Sequence, residues 1–289
     1  QVVEDGLLLR RASSLEAMNR PGTCFVDTQA RRIYVWTADG RPPSGHGMEY
    51  GGSALAIEFR GGVQYWRLSG FVLTGFRTTG IVIRDRSGGV EIDHMDISYI
   101  GAHRAGADLT SGYAVATYDT SGGNFIHHNN LHHTLAEAVH ISQTGAGGDL
   151  YEDNEIHEAG DPAWLCDPPA SRLRIGPGMI LRGNRITVRG NRIYRNGHHG
   201  LILESDLKGS EGPAHPSENI VEGNVFAFNG GYGVYGDGKN GLAASSANVL
   251  RFNLFQGNNQ ARGGSSGEGG LRLAGNFRGT VLFSNYVLW

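Results

Sequence analysis

The sequence predicts an all-β protein whose larger part is a single-stranded parallel β-helix, preceded by a small β-rich segment. Short apolar runs recur along the chain, each followed by Asn-x-apolar and then by a Gly-apolar-x-apolar run. Apolar residues two positions apart indicate strands rather than helices. A repeat period of about 20–40 residues indicates a stacked architecture in which each coil packs on the next.

The recurring asparagines are expected to be structural. One coil is too short to bury its inward side chains alone, so successive coils should stack with their strands about 4.8 Å apart. The aligned amides would then form an interior ladder in which each side chain donates to and accepts from its neighbours. These asparagines, spaced by 25, 37, 33, 29 and 32 residues, are Asn129, Asn154, Asn191, Asn224, Asn253 and Asn285.

Composition excludes several classes of protein. The chain has 289 residues, of which 39% are hydrophobic, so it can bury a sizeable core. No apolar run reaches the roughly 18 residues of a membrane span, and we expect neither a membrane segment nor a signal peptide within it. A net charge of −3 argues against nucleic-acid binding. Cys24 and Cys166 form no metal motif, and two buried thiols are favoured over one disulfide.

One repeat carries a family resemblance. The stretch ITVRGNRIYRNGHHGLIL (186–203) is close to the repeat of the right-handed parallel β-helix. Residues 66–289 therefore resemble the pectin-lyase-like superfamily, in its bacterial carbohydrate-active type. Residues 1–65 resemble the β-rich segment that caps the helix in such proteins. The resemblance implies a polysaccharide lyase, a glycoside hydrolase, an epimerase, a phage tailspike or a binding module, because one fold hosts all of these.

One strand of each coil is expected to form a groove floor. Insertions flank the Gly-apolar-x-apolar strand on both sides, and insertions in repeat folds collect on the functional face. Since Leu201 and Leu203 should point inward, Ile202 and Glu204 should point outward. Two outward columns follow from the alignment. The first contains His140, Ile180, Ile202, Tyr235 and Arg272. The second, beside the first, contains Ser142, Arg182, Glu204, Asp237 and Ala274.

The second column predicts a catalytic pair of carboxylates. Glu204 and Asp237 would be neighbours on adjacent coils, with carboxyl groups roughly 5 Å apart. Two opposed acids should hold different protonation states, and this separation suits a retaining glycosidase with a nucleophile and an acid/base. Arg182, His140, Tyr235 and Arg272 are predicted to bind substrate. The alternative is that Arg182 and Glu204 form a surface ion pair and that Asp237 opens a turn.

A different outward column offers second-tier candidates. His132, His157 and Tyr194 align on successive coils, and Asp161 follows nearby. They could bind a metal or supply a Tyr/His pair for β-elimination. The alternative is an aromatic stacking ladder on the outer surface. The pair His198–His199 is predicted to lie solvated in a turn.

Three functions remain open at this point. The leading hypothesis is a glycoside hydrolase that cleaves a polysaccharide or oligosaccharide with Glu204 and Asp237. The alternatives are a polysaccharide lyase acting by β-elimination and a non-catalytic glycan-binding or structural β-helix. No cofactor is required for the hydrolase, whereas a lyase could use calcium. A mixed-charge floor favours neutral or lightly substituted glycans, and such a protein would be secreted, periplasmic or on the cell surface.

Overall fold

The computed structural model shows a right-handed parallel β-helix, as predicted. The structure describes residues 2–27, 29–101, 112–143, 147–160, 176–205, 215–238, 245–259, 269–275 and 277–288. Three eight-stranded parallel sheets run along the helix, and each coil contributes one strand to each sheet. Within the described residues there is no α-helix, only a 3₁₀ turn at Pro43–Gly45, and no helix there could span a membrane.

We call the sheet that holds the predicted groove floor the groove sheet. Its strands are β7 (Leu55–Phe59), β10 (Thr79–Ile83), β13 (Tyr113–Tyr118), β16 (Val139–Ser142), β19 (Met179–Arg182), β22 (Leu201–Glu204), β25 (Val234–Gly238) and β29 (Leu271–Gly275).

The second sheet follows the groove sheet in each coil. Its strands are β8 (Arg67–Ser69), β11 (Glu91–Asp93), β14 (Phe125–His127), β17 (Leu150–Glu152), β20 (Thr187–Arg189), β23 (Ile220–Glu222), β27 (Val249–Arg251) and β31 (Val281–Phe283).

The third sheet closes each coil. Its strands are β9 (Val72–Thr74), β12 (Asp96–Ile100), β15 (Asn130–Thr134), β18 (Glu155–His157), β21 (Arg192–Tyr194), β24 (Val225–Ala227), β28 (Leu254–Gln256) and β32 (Tyr286–Leu288). A short parallel pair, β26 (Ser245–Ser246) with β30 (Phe277–Arg278), lies between the groove and second sheets in sequence.

The interior is a single apolar column built by alternation along these strands. Residues such as Ile141, Leu181 and Leu203 are fully buried, while their sequence neighbours face outward. Gly200, at the start of β22, shows how tightly the coils stack. An added Cβ there would lie 2.6 Å from the carbonyl oxygen of Gly233 and 2.7 Å from the Phe226 ring, so a glycine is required.

The predicted asparagine ladder is confirmed. Both the backbone amide and Nδ2 of Asn154 donate to Oδ1 of Asn191, at 2.9 and 3.0 Å, and Nδ2 also donates to the Ile126 carbonyl. The same pattern joins Asn129 to Asn154 and continues through Asn224, Asn253 and Asn285. These bonds satisfy buried backbone groups at a corner where no strand pairing is available. Shorter ladders of the same kind link Asn196, Asn229 and Asn258, and link Asn219 to Asn248.

The N-terminal segment forms two small sheets of its own. One contains β1 (Val2–Glu4), β2 (Leu7–Leu8) and β6 (Met48–Tyr50), and the other contains β3 (Arg10–Arg11), β4 (Thr23–Asp27) and β5 (Arg32–Trp36). Val2, Leu9 and buried Cys24 form their core.

The first coil of the β-helix begins before residue 66, where the sequence predicts the start of the β-helix. Strand β7 pairs with β10 in the groove sheet, so it belongs to the helix although it lies within 1–65. The capping role of the N-terminal segment stays a prediction. Cys166 lies outside the described residues, and the state of the two thiols therefore also stays a prediction.

Candidate active site

The groove sheet places its outward residues in the register predicted from the sequence. Ser142 pairs with Arg182, and Glu204 pairs directly with Asp237, which in turn pairs with Ala274. Leu201 and Leu203 are fully buried, so the alternation that turns Glu204 outward is correct. The predicted carboxylates are therefore neighbours on adjacent coils.

Glu204 is engaged by a cation on its other side. Nε and Nη2 of Arg182 both donate to Oε2 of Glu204, at 3.0 and 2.6 Å. The two side chains keep 20% and 13% of their surface exposed, so the pair is only partly screened by water. The ion pair that was the alternative interpretation is thus present. The catalytic roles of Glu204 and Asp237 stay a prediction, since an ion pair and a catalytic pair share this geometry.

On the coil that precedes Arg182, the same face carries an acid–base dyad. Glu137 Oε1 lies 2.5 Å from Nδ1 of His140, and both residues are buried. His140 occupies the predicted column because it pairs with Ala116 on one side and Ile180 on the other. Glu137 precedes β16 by two residues, where the turn brings it beside the imidazole. The carboxylate fixes the ring with Nδ1–H as donor and leaves Nε2 as the basic nitrogen.

Two tyrosines flank the imidazole of His140. The ring centroids of Tyr113 and Tyr118 lie 4.7 and 5.1 Å from it. Burial, and then the charge of Glu137, raises the pKa of Tyr118 to about 12. The same causes raise the pKa of Tyr113 further. Both phenols are therefore protonated at neutral pH.

The charge of Arg182 reaches both phenols. It lowers the pKa of each, against the larger effect of burial. Arg182 lies on the coil next to the dyad, since it pairs with Ser142 of the strand that carries His140. The groove sheet thus combines a base, a proton donor and a cation on adjacent coils.

Toward the C-terminus the groove floor becomes aromatic. The rings of His199 and Tyr235 stack at 4.7 Å, and Tyr232 stacks against both. Arg272 lies 5.8 Å above the Tyr232 ring and donates to its hydroxyl at 3.3 Å. Tyr235 and Arg272, both predicted to bind substrate, thus belong to one aromatic group.

The prediction that His198 and His199 are solvated is correct for His198, which is exposed, and wrong for His199. His199 is buried, and its Nδ1 accepts a hydrogen bond from the backbone amide of Tyr232 at 2.8 Å. Burial lowers the pKa of His199 to about 3, with a further contribution from His198. The ring is therefore neutral, with its proton on Nε2.

The second-tier candidates lie on the third sheet. His132, His157 and Tyr194 stack at 4.9 Å spacings with nearly parallel planes, which is the geometry of the aromatic-ladder interpretation. Burial, and then the neighbouring His132, lowers the pKa of His157. Asp161 lies outside the described residues. These side chains do not share a sheet with Glu204 and Asp237.

Comparison with known proteins identifies the family. A model described as "Right handed beta helix region" matches residues 56–278. The chain belongs to this right-handed β-helix family. No curated protein sequence matches it.

Solved structures with a similar fold include enzymes of alginate. The periplasmic alginate epimerase AlgG gives a TM-score of 0.52 at 17% identity, over 82% of this chain and 51% of that chain. An AlgG double mutant gives 0.52 at 18%, over 81% and 50%. An alginate lyase from Paenibacillus sp. str. FPU-7 gives 0.38 at 17%, over 83% and 78%. At these identities the likeness concerns the fold, and the β-helix chain spans about half the length of the epimerase chains.

Three groups of side chains in this protein could hold a metal ion. In each group the potential ligand atoms lie within 4.8 Å of one another. The groups, all within the described residues, are His132 with His133 and Glu158, Glu4 with Asp39 and His46, and Glu91 with Asp93 and His127.

Two of these groups are already occupied by internal contacts. Asp93 accepts from Arg67 and Ser69, and the Arg67 hydrogen bond holds its pKa far below the usual range. His46 contacts Glu4 and Asp39 through opposite ring nitrogens. An imidazole placed between two carboxylates in this way fills the space that an ion would need.

Proposed function

We propose that this β-helix protein is a carbohydrate-active enzyme that removes the C5 proton of a uronic acid residue in a polysaccharide. The observation that carries the proposal is the Glu137–His140 dyad, buried on the groove sheet between two protonated tyrosines. A base oriented by a third group, beside a separate proton donor, is the arrangement that acid–base catalysis requires.

The reaction balances with groups of this chain. Nε2 of His140 takes the proton from C5, which is acidified by the adjacent carboxylate of the sugar. The electron pair forms the C4–C5 double bond as the bond from C4 to the glycosidic oxygen breaks. Tyr118 gives its phenolic proton to the departing oxygen. Arg182, one coil away, neutralises the sugar carboxylate as its negative charge spreads in the transition state.

The same first step also serves epimerisation. If the C4–O bond holds and a proton returns to C5 from the opposite face, the configuration inverts. Alginate is the first substrate to test, because AlgG, whose fold is similar, is an alginate epimerase. A polysaccharide substrate would place the protein outside the cytoplasm.

A retaining hydrolase is the second candidate. The direct pairing of Glu204 with Asp237 favours it. Arg182 donates two hydrogen bonds to Glu204, which suits the nucleophile, so Asp237 would have to act as the acid. A neutral glycan would then be preferred.

A polysaccharide panel separates the candidates. Alginate, pectate and neutral glycans are incubated with the protein, with and without a chelator. Reducing ends and absorbance at 235 nm are followed together, and C5 configuration is read by NMR. Unsaturated ends or inverted C5 in a uronan support the proposal. Reducing ends without either signal, lost in Glu204→Gln and Asp237→Asn, would establish the hydrolase. Loss of activity with the chelator that added CaCl₂ restores, and ZnCl₂ does not, would show that calcium takes part.

A further inference from the structure

A cluster of histidines on the third sheet lies away from the groove sheet and has no part in the proposed reaction. His132 and His133 come from one coil and Glu158 from the next. Their nitrogen and carboxylate oxygen atoms lie within 4.8 Å of one another. The side chains of His132, His133 and Glu158 are 15%, 21% and 26% exposed, so an ion in solution can reach them.

One carboxylate sets the proton positions of two rings. Asp96 Oδ1 lies 3.1 Å from Nε2 of His132, and Asp96 Oδ2 accepts from Nδ2 of Asn130 at 3.2 Å. The Asn130 amide is thereby oriented with Oδ1 toward Nε2 of His157, at 3.0 Å. Because the carboxylate and the amide oxygen only accept, Nε2 must be the donor in both rings, and Nδ1 of each neutral ring is a bare acceptor.

Nδ1 of His132 lies against a ring nitrogen of His133, and Nδ1 of His157 lies against a carboxylate oxygen of Glu158. Nδ1 of His132 lies 2.5 Å from Nδ1 of His133. Glu158 Oε2 lies 3.1 Å from Nδ1 of His157 and 3.1 Å from Nε2 of His133. A neutral imidazole has one N–H, which at His133 could satisfy one of its two contacts, and the contact of Glu158 with Nδ1 of His157 does not involve that N–H. A cation would relieve these contacts, because each imidazole can give it the lone pair of one ring nitrogen and Glu158 can give it a carboxylate oxygen.

We propose that His132, His133 and Glu158 bind a divalent transition-metal ion of the zinc type. Two imidazoles and one carboxylate are ligands that Zn²⁺ accepts, whereas Ca²⁺ and Mg²⁺ prefer sites made of oxygen alone. Asp96 acts on the ligand His132 as the hydrogen-bonded carboxylate that commonly orients a metal-bound imidazole. Since the ligands come from two successive coils, the ion links those coils and stabilises the folded helix.

Binding is measured by isothermal titration of the tag-free, chelator-treated protein with ZnCl₂ and, separately, CaCl₂. We expect one Zn²⁺ per chain, a higher melting temperature with Zn²⁺, and neither effect with Ca²⁺. His133→Asn and Glu158→Gln should each weaken Zn²⁺ binding at least tenfold. Asparagine suits position 133 because the backbone there is left-handed, with φ of 52°.

His128→Asn is the matched control. His128 also occupies a left-handed corner, with φ of 54°, and it also follows a histidine. Its side chain is 51% exposed, and it is not a proposed ligand, so Zn²⁺ affinity should not change. Asp96→Asn keeps all three ligands and should weaken binding about 10- to 100-fold.

Three results would overturn the proposal. The first is no Zn²⁺ binding by the folded wild-type chain, which would mean that the rings share protons instead. The second is unchanged binding in both ligand variants, which would place the ion elsewhere. The third is an equal loss in His128→Asn, which would indicate non-specific binding by surface histidines.

Discussion

Glu137 Oε1 lies 2.5 Å from Nδ1 of His140, and both side chains are buried on the outer face of the groove sheet. The carboxylate holds the imidazole in one tautomer and faces the positive charge that forms when Nε2 accepts a proton. This is how a buried carboxylate assists a histidine base.

Glu137→Gln should therefore lower kcat by about 10²-fold or more while KM changes little. The amide oxygen can still accept from Nδ1–H, so the ring stays oriented, but the compensating charge is gone. Steady-state kinetics on the substrate found in the panel give both constants. Glu152→Gln, which changes an acid paired with Arg189 on the second sheet, should leave both constants unaltered. A large rise in KM with kcat intact would contradict the assigned role.

Tyr118→Phe should reduce the elimination rate by about 10²- to 10⁴-fold, because the departing oxygen loses its proton donor. The pKa of Tyr118, raised to about 12 by burial, keeps the phenol protonated across the working range. In the wild-type pH–rate profile, ionisation of Tyr118 should therefore cause no fall in rate as pH rises through neutrality. Tyr194→Phe, on the third sheet, should behave as wild type. Full activity of Tyr118→Phe would exclude it as the acid.

Glu204→Gln and Asp237→Asn distinguish the two candidate reactions. If the reaction is C5 proton removal, each of these two substitutions should lower the rate by about tenfold or less, since the two acids only position Arg182 and neighbouring groups. His140→Asn should lower the rate by about 10²-fold or more. Rates for the three variants on one substrate provide the comparison. The opposite order, with the acids dominant, would favour the hydrolase.

Stability should depend on the asparagine ladder. Asn191→Ala removes the acceptor of two Asn154 donors, which lie in the dry interior. We expect a loss of about 2–5 kcal/mol in the free energy of unfolding, measured by urea denaturation. Asn19→Ala, at an exposed position, should change it by less than about 0.5 kcal/mol. Equal effects of the two substitutions would show that the ladder contributes little.

Asp149 should make stability fall as pH rises. It is buried beside Asn124 and Gln143, and burial raises its pKa above the ordinary value. The folded state therefore holds this proton to higher pH than the unfolded state does. Its stabilising contribution is complete below the unfolded pKa, about 4, and is lost as pH rises toward the folded pKa.

Asp149→Asn removes that ionisation and places an amide, as in the asparagine ladders, beside Asn124. The variant should gain stability relative to wild type as pH increases from about 4 to 7, which urea midpoints at several pH values would show. A constant difference between the two proteins would mean that Asp149 does not titrate there.

The fold and one outward column could be predicted from the sequence because periodicity fixes them. With the repeats aligned, the inward and outward alternation of successive strand residues puts Glu204 beside Asp237, and the structure has that register. The asparagine ladder followed from the same alignment.

The dyad could not be predicted in this way. His140 was placed correctly in its column, but Glu137 lies before the strand begins, where no alternation holds. Which partner a side chain bonds depends on the turn and on its rotamer. His199 was misjudged for a related reason, because stacking by Tyr232 and Tyr235 buries a residue that the sequence places in a polar turn.

Loss of the C5 hydrogen is the most direct test of the central claim. Alginate is incubated in D₂O with the wild type and with His140→Asn, and the sugar residues are analysed by NMR and mass spectrometry. The account predicts deuterium at C5, or unsaturated ends that lack the C5 hydrogen, with the wild type only. Chain cleavage of a panel glycan with every C5 hydrogen retained, unaffected by His140→Asn, would contradict it.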